Sequence, residues 1–155
     1  MVLFLPFYFL IIPYEPSLLP IAIQLGRKMH QESRFRDMPF SEAKIASLLQ
    51  NPNCFTSFAK AGDVYIGFIW GLVQDIWFSD CKTGFDLGLY LLPEYRGKSM
   101  APVRLVRAFE DFCKSKGCFE ITFSSSASID EEKAFRLYEK LGYSKCGFIT
   151  YKSLI

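Results

Sequence analysis

The spacing of apolar positions switches repeatedly between the two-residue period of a strand and the 3.6-residue period of a helix, and the switches mark the elements. Tyr8–Ile12 is a short apolar run behind Pro6 and predicts a strand. From Ser17 to about Glu32, apolar residues at Leu18, Leu19, Ala22, Ile23, Leu25 and Met29 recur at helical spacing, with Pro20 in the first turn, where its missing N–H is no loss. A polar and charged stretch from Gln31 to Pro39 follows. Ser41–Gln50 reads as a second helix, ended by Asn51-Pro52-Asn53. Strands are expected at Cys54–Ala59, Val64–Val73 and Phe85–Leu91, with Lys60-Ala61-Gly62-Asp63 as the hairpin turn between the first two. A third helix carries Leu105, Val106, Phe109, Phe112 and Cys113 on one stripe and has Gly117 where a left-handed cap belongs. Phe119–Ser124 and Cys146–Lys152 complete the strands. Between them lies a helix that opens on a capping box, Ser128-x-x-Glu131, and closes at Gly142. This order suits an α/β domain with a mixed sheet and helices on both faces.

The stretch richest in chemistry runs from Leu89 to Ala101. There an apolar strand stops at Pro93, passes through the basic loop Glu94-Tyr95-Arg96-Gly97-Lys98-Ser99 and opens the third helix. Loop amides and the unpaired first amides of a helix converge on an anion, and the helix dipole adds partial positive charge. Arg96 and Lys98 add full charges, and Pro102 lies in the first turn. A P-loop would need glycine where Leu92 stands, and a dinucleotide fingerprint would need more glycines than Gly97 alone. Neither of those nucleotide sites is encoded.

What remains resembles motif A of the GNAT N-acetyltransferase superfamily, a strand, a proline and a [QR]-x-x-G-x-[GA] loop. Arg96 takes the first position, Ser99 the central one and Ala101 the last. A second block, Ala134, Leu137, Tyr138, Lys140, Gly142 and Tyr143, is similar to the family's A-x-x-L-Y-x-K-x-G-[FY] helix. The two blocks and the segment between them cover roughly residues 84–152. Ser99 replaces the usual glycine, which a serine tolerates at negative φ, where its hydroxyl is also free to donate to a phosphate. Glu131 stands where the family often has asparagine.

The resemblance implies a mostly antiparallel sheet whose parallel strands, near Phe85–Leu91 and Phe119–Ser124, splay apart to admit acetyl-CoA as co-substrate. It implies cofactor contacts from the strand end at Leu89 and Leu91 and from the loop, Arg96, Gly97, Lys98, Ser99, Met100 and Ala101. Tyr138 is implied as general acid to the departing thiolate, although it also fits a core stripe with Ala134, Leu137 and Leu141. Asp86 is the only acid within its strand and is the candidate base, its face undetermined by alternation. Solvent can take the amine's proton as well. Arg27, His30, Glu32 and Arg34 lie around the junction of the first two helices, which in this family walls the acceptor. The activity expected is acetyl transfer to an amine by direct attack in a ternary complex. The alternatives are a different acyl donor or a CoA-binding interaction module that is not an enzyme. The acceptor is an amine-bearing small molecule or a protein, and a homodimer is left open.

Composition narrows this further. The 155 residues are half apolar, with 16 Phe and 8 Tyr, enough for the core of one domain spanning 1–155. A net charge of +2 carries no nucleic-acid signature. Five cysteines without a C-x-x-C pair suggest neither a disulfide framework nor a metal site, and reduced cytoplasmic thiols are the plain reading. Met1–Ile12 lacks a basic leading region and falls short of the roughly 20 residues a membrane helix needs. Residues 1–7 are expected to extend the first strand or to form an apolar tail.

Overall fold

The computed structural model describes residues 8–125 and 127–155, so the expectation for residues 1–7 lies outside the described residues. Five strands form one sheet: β1 (Phe9–Pro13), β2 (Cys54–Ala61), β3 (Val64–Asp75), β4 (Lys82–Leu91) and β5 (Cys118–Thr122). They lie side by side in sequence order, antiparallel except for the parallel β4–β5 pair. The helices are α1 (Leu19–Glu32), α2 (Glu42–Leu49), α3 (Ala101–Ser115) and α4 (Glu131–Lys140). None of them is long and apolar enough to cross a membrane.

Alternation along the strands sends side chains to two cores, one on each face of the sheet. Ala22 and Leu25 of α1 and Leu49 of α2 pack over Phe58, Phe68, Trp70 and Tyr90. On the opposite face, Leu105, Val106, Phe109 and Cys113 of α3 and Tyr138 of α4 pack over Ile66, Ile69, Val73 and Leu91. The α3 stripe predicted from spacing is therefore buried at Leu105, Val106, Phe109 and Cys113 and half-buried at Phe112. α1 follows a single 3-10 turn at Pro16–Leu18, and Ser41 caps α2 by accepting from the Lys44 amide at 3.3 Å.

Three register shifts interrupt the ladders, one of them at Phe119, where β5 begins its pairing with β4. In β4, Trp70 pairs with Gly88 while Gly71 pairs with Asp86, which leaves Leu87 as the extra residue. In β3, Ile66 is the extra residue opposite Ala59 and Lys60. A Cβ on Gly71 would overlap the fully buried Phe109 ring, so this glycine permits α3 to lie close on the strands.

Two expectations are corrected. Residues 146–152 form no strand, and Phe148 and Tyr151 are exposed. Alternation supplies a propensity only, and no neighbouring strand pairs with this segment among the described residues. The capping box is also absent. Ser128 (φ 58°) and Asp130 (φ 52°) are both left-handed, and Asp130, not Ser128, takes the N-cap position without a side-chain cap bond. A Ser at N-cap needs extended φ/ψ to reach the helix amides. An ion pair from Lys133 to Asp130 (3.0 Å) lies at this end of α4 instead.

Candidate active site

β4 and β5 pair from Lys82–Cys118 to Phe85–Thr122, after which β4 continues to Leu91 while β5 ends. The strands splay there. The Leu92 N–H donates to Ile66 O on the β3 side (2.8 Å), and a Cβ on Gly67 would run into the Tyr90 carbonyl, so Tyr90 faces β3 as well. By alternation the backbone groups of Leu89 and Leu91 point the other way, into the opening.

At the point of parting, Asp86 Oδ1 accepts the Ser124 N–H at 2.8 Å, a side chain standing in for the ladder bond. Its pairing opposite Gly71, beneath Phe109, puts Asp86 on the α3/α4 face. Burial pushes its carboxyl up to about 6, against the pull of the Ser124 hydrogen bond. Tyr138 lies on the same face, 7% exposed, its ring stacked on Phe123 at 4.7 Å. Burial, then the nearby Asp86 charge and Tyr143, hold its phenol well above the ordinary range. The hydroxyl is therefore protonated at any physiological pH. Tyr138 also lines a cavity of about 650 Å³ shared with Ser124, Glu131, Phe135, Arg34 and Tyr151.

The other end of the opening is the loop. After a 3-10 turn at Pro93–Tyr95, Gly97 adopts φ +72°, a conformation that favours glycine and turns the chain toward α3. Among the described residues, the amides of Gly97, Lys98, Ser99 and Met100 have no backbone acceptor. Ser99 is not at positive φ, as its identity requires, and its Oγ accepts the Ala101 N–H at 3.3 Å. That hydroxyl retains its own proton for donation. Lys98 and Met100 are exposed and Ala101 is buried.

Arg96 does not reach outward. Its Nε donates to Leu91 O (2.9 Å) and its Nη2 to Glu32 Oε2 (2.7 Å), while the Tyr90 hydroxyl donates to Glu32 Oε1. Glu32 is thus drawn to the loop. Arg34 lies against the rings of Phe35 (4.1 Å) and Tyr151 (4.3 Å), at the cavity that Tyr138 lines. Arg27 pairs with Glu42 and covers Phe40, and His30 packs on Phe40 at 5.4 Å with its Nε2 buried and unpartnered. Those two lie in the α1–α2 seam. Sequence reasoning missed Tyr90 and Ser124. Tyr90 alternates with the flagged Leu89 and Leu91, but nothing local reveals its partner on α1.

The splayed β4–β5 pair is thus bounded by loop amides without a backbone acceptor at one end and by the buried phenol of Tyr138 at the other. The model of the Acetyltransferase (GNAT) family matches residues 19–143, and the chain belongs to that family. Among solved structures, AAC(6')-Iy in complex with the bisubstrate analogue CoA-S-monomethyl-acetylneamine superposes with a TM-score of 0.76 at 19% identity, covering 96% of this chain and 99% of that one. The aminoglycoside acetyltransferase meta-AAC0020 from an uncultured soil metagenomic sample, in complex with sisomicin, gives 0.74 at 19% identity, over 96% and 97%. An acetyltransferase of Trypanosoma brucei gives 0.73 at 21% identity, over 95% and 100%. At these identities the likeness establishes the shared fold. No curated protein matches by sequence.

Proposed function

We propose that this chain transfers the acetyl group of acetyl-CoA to an amine by direct attack in a ternary complex, as a single cytoplasmic domain. The observation that carries the reading is the opening between β4 and β5, with unpaired loop amides at one end and the buried, protonated Tyr138 beside Asp86 at the other. The amides of Gly97–Met100, the Ser99 hydroxyl and the α3 N-terminus are suited to a pyrophosphate, and Lys98 adds charge. The backbone of Leu89 and the N–H of Leu91 are suited to pairing with an extended arm, the Leu91 carbonyl being held by Arg96.

The chemistry balances with these groups. A neutral amine attacks the thioester carbonyl, the C–N bond forms and the C–S bond breaks. Tyr138 gives its proton to the departing thiolate and takes one back from the newly protonated Asp86 or from solvent before the next turnover. The proton lost by the amine goes to Asp86 directly or through water, and a carboxyl titrating near 6 is largely ionised at pH 7.5, as a base must be. Arg34, Glu131 and the aromatic rings at the cavity form one wall for the acceptor.

The neighbours bound to sisomicin and to a neamine conjugate make small polyamines the first acceptors to try. The test is turnover of acetyl-CoA with a panel of aminoglycosides, polyamines and lysine peptides, alongside CoA calorimetry. CoA-dependent acetylation of any amine supports the reading. Tight CoA binding without turnover of any amine would assign a binding module, and no binding at millimolar CoA would sink the cofactor assignment.

A further inference from the structure

Glu32 is the last residue of α1, yet both of its carboxylate oxygens are engaged on the opposite side of the site entrance. Oε1 accepts from Tyr90 of β4, which is 3% exposed, and Oε2 from Arg96 of the loop at 2.7 Å. Arg96 spends its Nε on Leu91 O, five residues back, at 2.9 Å. The segment from Leu91 to Arg96 is thereby closed into a ring, and the ring is moored to α1. Gly97 follows at once in its left-handed conformation, and the amides of Gly97 to Met100 come directly after the moored segment.

We propose that Glu32 is a positioning residue: by holding Arg96 it keeps the phosphate loop in its receiving form and couples α1, on the acceptor side, to cofactor occupancy. This rests on the CoA-dependent reading given above. The alternative use of the same residues is plain. If Arg96 instead left Glu32 to ligate the phosphate, Glu32 would compete with CoA. The two uses predict opposite signs for removal of the carboxylate. The arrangement favours the first, because Arg96 Nε on the Leu91 carbonyl and Nη2 on the Glu32 carboxylate fix the plane of the guanidinium from two sides. Tyr90 adds to this, since a buried phenol deprived of its acceptor incurs a desolvation cost, which keeps the carboxylate where it is. The Arg96 guanidinium also lies 5.3 Å from the Tyr90 ring centroid, so the three side chains form one unit.

The experiment is a double-mutant cycle on the full chain, with the dissociation constant of free CoA measured by calorimetry for wild type, Glu32→Ala, Arg96→Ala and the double variant. Contacting residues of one network couple, so each single change should weaken CoA on the order of fivefold or more and the double should be no weaker than the worse single. Glu32→Gln, which keeps an acceptor for both donors, should fall between wild type and Glu32→Ala. With acetyl-CoA and any accepted amine, KM for acetyl-CoA should rise while kcat is held, a split that general loss of stability would not produce. CoA affinity within twofold of wild type in Glu32→Ala, tighter binding, or an additive double variant overturns the proposal. If Glu32→Ala does not fold, Glu32→Gln decides it by the same twofold criterion. Wild-type protein that fails to bind CoA defeats both this and the acetyltransferase reading, whereas wild type that binds CoA no better than Glu32→Ala defeats the positioning role alone.

Discussion

Replacing Asp86 with asparagine should stabilise the fold at neutral pH and leave it unchanged in acid. Its carboxyl titrates at about 6 in the fold against an ordinary 3.8, chiefly because burial disfavours the charge. A folded-state value above the unfolded one means that the native state binds the proton more tightly. The contribution is fully present below pH 3.8 and is lost as pH rises through about 6. At about 1.4 kcal/mol per pH unit the difference amounts to about 3 kcal/mol, which partial solvation reduces to ~1–3 kcal/mol. Asparagine carries no charge and its carbonyl can still accept the Ser124 N–H, so it escapes the loss. Urea unfolding of both proteins at pH 4 and pH 7.5 reads the effect as a difference of differences. The asparagine variant should gain ~1–3 kcal/mol at pH 7.5 alone, several degrees in Tm for a chain of this size. A gap independent of pH, or an asparagine variant less stable at pH 7.5, would refute the argument. The same variant should lose kcat if Asp86 is the base, stability and activity moving in opposite directions.

Tyr138→Phe removes the phenolic hydroxyl while keeping the ring that stacks on Phe123, and should lower kcat by roughly 10- to 10³-fold with CoA affinity retained. Wild-type kcat in steady-state assays where chemistry is limiting would place Tyr138 in the core only. Gly97→Ala forces a side chain into φ +72° and should weaken CoA binding in calorimetry, with a stability loss of about 1 kcal/mol. Ser99→Gly keeps the loop amide but removes the hydroxyl, and should weaken CoA in the same calorimetry by less than Gly97→Ala does. Gly71→Ala drives a methyl into the Phe109 ring and should cost about 1–3 kcal/mol in urea unfolding, with the loss largely relieved by Phe109→Leu.

Much of the scaffold was legible because its causes are local. The α3 stripe, the prolines in first turns and the left-handed cap at Gly117 are set by side-chain period and by local φ preferences. The strand–turn–helix junction from Leu89 to Ala101 was legible for the same reason: its parts are contiguous in the chain. The segment 146–152 shows the limit, since an alternating pattern becomes a strand only when another strand lies beside it. Side-chain partnerships were hidden as well. Glu32 and Arg96 were assigned separately, to acceptor and cofactor, and only the docking of α1 on the sheet joins them through Tyr90. Asp86 gives the sharpest division. Plain alternation back from Leu91 and Leu89 would place it on the α1/α2 face, away from Tyr138. The bulge at Leu87 inserts one residue, reverses the parity and delivers Asp86 to the face that Tyr138 occupies. The sequence determined which residue types were available along β4, but their side of the sheet depended on a register that only pairing with β3 defines.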